Sequence, residues 1–319
     1  MSADFSLPRF TVSLACPDLT PWLDGNTGVR GFTTWKSRKP GPHVALIALT
    51  HGNEIAGAVA LARLLEADFR PETGRVTFGF SNLAAFARFD PRQPTASRFI
   101  DEDMNRLWDE AVLNGPRRSS ELDRAREIRP LLSEVDLLLD LHSMLWPSEP
   151  LILCGAAEKG RRLARGIAVP GLAVADRGHA SGRRMIDYAP FVDPATPCAA
   201  NLLEAGPHWE PATVETALAA IAGMLRHAGL IDHHRALREN GEGAFRQRFA
   251  EVIRTVTAGS GTFSFVQPFR GGDIVPRCNT LIALDGEEEI RTPCEDCMLI
   301  MPSLRPSRGH TAVRLARLV

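Results

Sequence analysis

The stretch ALIALTHGNEIAG, residues 45–57, joins two patterns of secondary structure. Aliphatic residues run into Thr50 as they do in a buried strand, and the segment that starts at Glu54 has the apolar spacing of a helix. Between them, Gly52 lets the backbone turn tightly beside His51. The stretch therefore predicts a strand–turn–helix unit that presents an imidazole and a carboxylate just past the end of the strand.

The same alternation of strands and helices extends over residues 43–228. Apolar strands are predicted in HVALIAL, RVTFGFS, VDLLLDLHS, PLILCG, GLAVAD and CAANLLEAG. Helices are predicted in SELDRAREIRPLLSE, opened by Ser119 or Ser120, and in EKGRRLARGIA and ATVETALAAIAGMLRHAGL. Short apolar strands separated by helices are typical of an α/β fold with a mainly parallel mixed sheet flanked by helices.

The composition of the chain changes near residue 230. The polar, turn-rich segment DHHRALRENGEGAF is followed by short strand-like pieces with turn signals between them, such as EVIRTVTA and CNTLIALDG. We therefore predict two domains. Residues 1–235 form the catalytic α/β domain, and residues 236–319 form a smaller C-terminal β-rich domain.

The bulk composition excludes several classes of protein. The 319 residues are 44% hydrophobic and carry a formal net charge of −1, so no basic field for nucleic acid is present. Neither a signal peptide nor an apolar run of ~18 residues is evident, which predicts a cytoplasmic protein without a membrane partner. Six cysteines do not make a disulfide framework, and the Cys294–Cys297 pair lacks the second pair that a zinc knuckle needs. Homo-oligomer formation is left open.

Three residues at predicted strand ends have the chemistry of a catalytic zinc site. His51 and Glu54 follow one strand, and His142 ends another in LLLDLHSM. Two histidines and one glutamate leave the fourth zinc position open, as catalytic sites do. Two of these residues also have plainer interpretations. Glu54 favours a helix N-terminus, and His142 alone suits a core histidine. Asp140 is either an outer partner of His142 or a simple buried carboxylate.

Four further residues complete a candidate hydrolytic site. Glu204 ends the strand in NLLEAGP and is a candidate general base, because a carboxylate there is costly unless it faces solvent or a site. Arg98 is placed to polarise a carbonyl, and Asn105 and Arg106 to bind a carboxylate. The alternative interpretations are a strand-end residue near the surface for Glu204 and an ordinary charged run for SRFIDEDMNRLWDE.

The ordered motifs HGNE, R…DMNR, DLHS and LLEAGP resemble those of the succinylglutamate desuccinylase/aspartoacylase family, a branch of the zinc carboxypeptidase superfamily. The resemblance implies a zinc-carboxypeptidase-like fold and a zinc-dependent amidohydrolase with one Zn²⁺ per chain. It further implies zinc ligands at His51, Glu54 and His142. Glu204 would be the general base and acid, Arg98 would stabilise the oxyanion, and Asn105 and Arg106 would bind the substrate carboxylate.

One departure from the family concerns a tyrosine near the substrate, which aspartoacylases supply late in the chain. The single tyrosine here is Tyr188, outside the predicted β-rich domain. Either Tyr188 substitutes from a different loop or the role is absent. Arg183 and Arg184 lie in the same loop as candidates to meet an acidic acyl group, or as surface charge.

The predicted function is hydrolysis of the amide bond of a small-molecule N-acyl amino acid. Two alternatives are left open by the sequence. A metallocarboxypeptidase would use the same groups to release a C-terminal residue from a peptide, and a non-catalytic zinc-binding module would need neither Glu204 nor Arg98.

Overall fold

The computed structural model describes residues 10–179, 181–231 and 247–319. The strands in these ranges are β1 (Phe32–Lys36), β2 (His43–Ala48), β3 (Arg75–Phe80), β4 (Leu137–Met144), β5 (Leu151–Leu153), β6 (Leu172–Ala175), β7 (Ala199–Pro207), β8 (Arg248–Thr257), β9 (Ser264–Phe265), β10 (Ile274–Val275), β11 (Leu281–Asp285), β12 (Glu288–Arg291), β13 (Cys297–Ile300) and β14 (Thr311–Leu318). The helices are α1 (Ile55–Glu66), α2 (Leu83–Phe86), α3 (Glu110–Asn114), α4 (Ser120–Leu132), α5 (Glu158–Ile167), α6 (Ala189–Val192) and α7 (Pro211–His227). Short 3₁₀ turns lie at Thr20–Trp22, Met104–Arg106 and Met185–Asp187.

An eleven-stranded mixed sheet forms the centre of the molecule. Its strand order is β1-β3-β2-β4-β7-β5-β6-β8-β14-β13-β10. Strands β3, β2, β4 and β7 are mutually parallel, and β6 runs parallel to both β5 and β8. A separate three-stranded antiparallel sheet has the order β12-β11-β9. The predicted fold class, a mainly parallel sheet flanked by helices with a smaller C-terminal β part, is confirmed.

The parallel strands are mostly apolar and buried because helices cover both faces of the sheet. All six residues of β2 are buried. In β4, Leu139 and Leu141 pack in one hydrophobic core with α1, α5 and α7, whereas Leu138 packs in a second core with α4. Successive strand residues point to opposite faces, so one strand serves both cores. The Ser119 side chain accepts from the Leu122 backbone N–H at 3.0 Å and caps α4, one of the two predicted starts.

The C-terminal strands extend the central sheet. Strand β8 pairs with β6 in parallel register and with β14 in antiparallel register. Beyond them, β13 and β10 continue the sheet, and a third core packs between this part and the small sheet. The predicted division at residues 235/236 lies outside the described residues, within positions 232–246, and it stays a prediction.

Candidate active site

The candidate residues gather at the carboxyl ends of neighbouring parallel strands, the edge where open α/β sheets bind ligands. His51 and Glu54 follow β2, His142 lies near the end of β4, and Glu204 lies near the end of β7. His142 and Glu204 are directly opposite each other in the β4–β7 register. The structure therefore brings together on one edge the residues that the sequence placed at three strand ends.

A tight turn carries the chain from β2 into the site. Leu49, just past β2, has a left-handed φ of 59°, an unusual conformation for a leucine that the surrounding core must maintain. Gly52 packs against the backbone of α2, and a Cβ at this position would lie 2.4 Å from the Ala85 carbonyl carbon. Only glycine fits this close approach, so the turn requires the residue that the sequence supplies there.

His51, Glu54 and His142 are buried, and their side chains converge. The Nδ1 atom of His51 is 2.7 Å from Oε1 of Glu54, and Nδ1 of His142 is 3.0 Å from Oε2 of the same carboxylate. One ligand atom from each of the three residues lies within 4.8 Å of the others. Within the described ranges, no other group of three or more such side chains meets that criterion.

Each of the two imidazoles is backed by a second carboxylate on its far side. The Nε2 atom of His51 lies 2.8 Å from Oδ1 of Asp103, and Nε2 of His142 lies 2.7 Å from Oδ2 of Asp140. Because a carboxylate only accepts hydrogen bonds, both Nε2 atoms carry a proton, and the Nδ1 atoms, which face Glu54, are the nitrogens that a metal ion would use once they are deprotonated. This arrangement orients metal-binding histidines in proteins and raises their basicity. The sequence indicated Asp140 for such a role but assigned none to Asp103.

The charges in this cluster are mutually stabilising. Burial opposes ionisation of Glu54, but His51 and His142 outweigh it and hold the pKa of that carboxyl well below its usual range. Burial likewise opposes protonation of His142, but Asp140 and Glu54 raise the pKa of that imidazole well above its usual value. The Glu54 carboxylate is thus kept anionic, as a ligand for a divalent cation must be.

Glu204 has a different environment from Glu54. It is buried, and its Oε2 atom has no hydrogen-bond partner among the described residues. Burial raises the pKa of Glu204 first, and the neighbouring negative charge of Glu54 raises it further. Two carboxylates whose surroundings drive their pKa values apart are typical of a site that separates ligand and proton-transfer roles.

Arg98 lies over the cluster, more exposed than the residues beneath it. Its Nη1 donates to Oε1 of Glu54 at 3.0 Å, and its Nη2 lies 3.4 Å from Oδ2 of Asp103. The side chain is 38% exposed, whereas the Glu54 side chain beneath it is 3% exposed. Arg98 therefore provides a fixed positive charge beside the place where the three candidate ligands meet.

Asn105 and Arg106 flank the cluster on the side of α4. The side-chain oxygen of Asn105 accepts from the Met185 backbone N–H at 2.7 Å, and its Nδ2 lies 3.4 Å from Nε2 of His142. Arg106 is anchored through Nη1 to the Asn105 carbonyl at 2.6 Å. Burial and nearby arginines lower the pKa of Arg106 to about 10, so it remains a cation at neutral pH. Arg106 also lies 3.8 Å from Oδ2 of Asp103, and among the described residues its side chain donates one hydrogen bond, to the Asn105 carbonyl, whereas the Asn105 side-chain oxygen is already engaged.

The loop that contains Tyr188 contributes ion pairs and core packing. Tyr188 is buried against Trp108, and its hydroxyl lies 3.2 Å from Oγ of Ser133, so it packs in the second core. Arg183 pairs with Asp109 at 3.0 Å on the surface. Arg184 is buried and donates both Nη atoms to Asp176, at 2.9 and 2.7 Å.

Two residues that sequence reasoning missed support the cluster from the side of α7. The Ser143 backbone N–H donates to Oε2 of Glu54 at 3.0 Å. The Ser143 hydroxyl is 2.8 Å from Nδ1 of His208, which is itself buried. Burial lowers the pKa of His208 to about 4, so this imidazole is neutral at physiological pH. The only sequence feature that could have indicated His208 is its position directly after the LLEAGP motif.

Comparison with known proteins agrees with the predicted family. Residues 40–168 match the family model for the succinylglutamate desuccinylase/aspartoacylase catalytic domain. No curated protein sequence matches significantly. None of the described helices combines the length and apolar character needed to cross a membrane.

Solved structures with the same fold share little sequence identity with the chain. Succinylglutamate desuccinylase from Vibrio cholerae is 16% identical, with a TM-score of 0.64 over 87% of this chain and 81% of that one. A succinylglutamate desuccinylase/aspartoacylase from Rhodobacter sphaeroides is 19% identical, with a TM-score of 0.64 over 90% and 88%. The product-bound ectoine utilization protein from Ruegeria pomeroyi is 18% identical, with a TM-score of 0.63 over 89% and 88%. Residues 40–168 therefore match the catalytic domain of the succinylglutamate desuccinylase/aspartoacylase family, and the described structure shares the fold of the solved structures compared with it.

Proposed function

We propose that the protein is a zinc-dependent hydrolase that cleaves the amide bond of N-acyl amino acids. The family consists of deacylases of this general kind. The observation that carries the proposal is the convergence of two imidazole Nδ1 atoms on the Glu54 carboxylate, with a further carboxylate behind each ring. Glu204, which is buried with an unpartnered oxygen, lies opposite His142.

The donor set fits zinc. Zn²⁺ binds imidazole nitrogen and carboxylate oxygen, and two histidines with one glutamate are a known catalytic set that leaves one position for water or substrate. His51, Glu54 and His142 would hold one ion per chain, with Asp103 and Asp140 fixing the two rings. When bound, zinc acts as a Lewis acid and lowers the pKa of its water toward ~7.

The protein's own residues account for the proton transfers. Glu204 accepts a proton from the attacking water, since its raised pKa makes it a competent base and acid near neutral pH. Arg98 donates to the carbonyl oxygen as negative charge develops there. Glu204 then returns the proton to the leaving nitrogen, which completes hydrolysis to a carboxylic acid and a free amine.

The substrate carboxylate binds on the side of the site that faces α4. Arg106 offers a permanent cation, and the Nδ2 of Asn105 is the remaining donor of that side chain. A guanidinium can bind a carboxylate bidentately, which fixes the position of the scissile bond relative to the metal ligands. A small molecule with a carboxylate is therefore the expected substrate class.

A panel of substrates tests the proposal together with Glu204→Gln. Purified protein with one equivalent of Zn²⁺ is assayed for amine release from N-acetyl, N-succinyl and N-aroyl amino acids, beside short peptides. We expect hydrolysis of N-acyl amino acids, a loss of at least ~100-fold in turnover for Glu204→Gln, and unchanged zinc content. Lost zinc with lost turnover would make Glu204 a ligand. Cleavage of peptides alone would identify a carboxypeptidase, and no turnover of any compound would favour a zinc-binding module.

A further inference from the structure

A cleft of about 210 Å³ lies beside the candidate active site and has no role in the mechanism above. Its described lining includes Phe10 from the N-terminal segment, Leu145 after β4, His208 and Trp209 after β7, and Arg270 from the C-terminal part. It therefore lies just beyond the carboxyl ends of β4 and β7, the strands that present His142 and Glu204. Ligands of open α/β sheets bind at this edge.

The inner wall of the cleft is continuous with the candidate zinc ligands. His208 lines the cleft, and its Nδ1 lies 2.8 Å from the Ser143 hydroxyl. The backbone N–H of Ser143 donates to Glu54 at 3.0 Å. The cleft wall and a candidate metal ligand are thus linked through the Ser143 residue alone.

The elements beside the cleft and beside the carboxylate-binding residues pack in different hydrophobic cores. Asn105 accepts from the backbone of Met185, which packs in the second core with α4. Trp209 donates through Nε1 to the Asn53 carbonyl at 3.0 Å and directly precedes α7, which packs in the first core.

The outer wall of the cleft is aromatic and anchored. The Phe10 ring lies edge-on to Trp146, with centroids 5.5 Å apart, and to Trp209 at 6.1 Å. The Ser13 backbone N–H donates to the Trp209 carbonyl at 3.1 Å, which holds this segment against the end of β7. Aromatic walls favour planar apolar groups, and a cavity of ~150 Å³ is sufficient for benzene. The cleft is thus large enough for one aromatic ring.

We propose that this cleft binds the aromatic acyl group of an N-aroyl amino acid whose carboxylate is bound by Arg106. The proposal rests on the proposed function and specifies its acyl substrate class. The scissile carbonyl then lies between the two binding regions, beside His142 and Glu204. Phe10 and Leu145 act as specificity-determining residues that contact the acyl group and take no part in proton transfer.

Fluorine NMR of N-(para-fluorobenzoyl)glycine tests the cleft, because line broadening reports binding whether or not turnover occurs. Phe10→Ala removes one wall, and Leu145→Phe fills the space. Ile253→Ala is the matched control, since Ile253 is 40% exposed on β8, as Phe10 is 39% exposed, and it does not line the cleft. We expect the wild type and Ile253→Ala to bind the probe, with affinity about tenfold weaker in Phe10→Ala and no broadening in Leu145→Phe.

The possible results separate this inference from the proposed function. Weaker binding in either cleft variant, with Ile253→Ala unchanged, supports the cleft. Absence of binding to the wild type, equal binding by all four proteins, or equal loss in Ile253→Ala overturns it. Hydrolysis of N-acetylglycine and of the probe is followed separately. Turnover of the acetyl compound without cleft-dependent binding of the probe would leave the proposed function standing and remove the aromatic subsite.

Discussion

Asp140→Asn gives a clean test of the metal site, because Asp140 contacts a candidate ligand without being one. Its Oδ2 lies 2.7 Å from Nε2 of His142, and its Oδ1 accepts from the Thr50 hydroxyl at 2.9 Å. The residue is completely buried on β4. Asparagine preserves its size and one acceptor, so the substitution mainly removes the charge behind the imidazole.

The expected loss follows from that single contact. Removing the partner behind a metal-binding histidine typically costs 10–100-fold in metal affinity, or about 1.4–2.7 kcal/mol. The loss arises because a neutral amide fixes the Nε2–H tautomer of His142 less firmly and makes Nδ1 less basic. The fold should remain intact, since the side chain keeps its volume in the sheet.

Zinc affinity is measured by competition with a chromophoric chelator at neutral pH. Thr50→Val is the control, because it removes the other hydrogen bond to Asp140 and leaves its charge against His142. We expect a clearly smaller loss in that variant. Equal zinc affinity in wild type and Asp140→Asn would refute the reasoning, and so would an equal loss in Thr50→Val.

Three further predictions concern the substrate side, the buried ion pairs and the turn. Arg106→Ala should weaken binding of a carboxylate-bearing substrate by about 1.5–3 kcal/mol, which is measured as a raised KM. Arg117→Ala is the control, because it removes only an exposed ion pair with Glu102 and should leave KM unchanged. If the two variants have equal KM values, Arg106 is surface charge. Asp176→Asn should cost about 3–5 kcal/mol in urea unfolding at neutral pH, because it removes the charge of the carboxylate that the buried Arg184 and Arg314 share. Burial opposes ionisation of Asp176, but Arg184 and Arg314 lower its pKa. Its contribution to stability is therefore complete above about pH 4 and declines as pH falls through the folded pKa. A difference in unfolding free energy between wild type and Asp176→Asn that stays constant down to about pH 3 would contradict this. Gly52→Ala should lower the free energy of unfolding by about 1–3 kcal/mol, because the added Cβ clashes with Ala85. Gly171→Ala is the control, since a Cβ there meets nothing within 4 Å. Equal thermal stability of the two variants would show that the turn adjusts.

The parallel part of the fold is predictable from the sequence because its strands are mostly apolar. β2, β4 and β7 are uninterrupted buried runs, and parallel strands place their carboxyl ends on one edge. Residues that end such strands must then be neighbours, which is why the sequence alone groups His51, His142 and Glu204 at one site. Ser119 as the cap of α4 follows from local chemistry alone.

Contacts between side chains from distant segments could not be read from the sequence. Asp103 lies 52 residues from His51 in the chain, and only the loop conformation brings it to the imidazole. Arg184 meets Asp176 and Asp187 in an ion-pair cluster that Arg314 joins from β14, although RR in a loop suits surface charge equally well. The strand-like pieces after residue 247 were recognised, but alternating residues do not specify a pairing partner, so their continuation of the central sheet was not predicted.

The position of β8 between β6 and β14 has a consequence for synthesis of the protein on the ribosome. While residues 311–318 are still inside the exit tunnel, β8 can pair with β6 but has an open edge on its other side. Such an edge can pair with strands of other nascent chains. Arrival of β14 covers it and also brings Arg314 to Asp176. Closure of the sheet edge and completion of the buried ion-pair cluster are therefore one late event, and a translation pause while β14 is still inside the exit tunnel should increase aggregation.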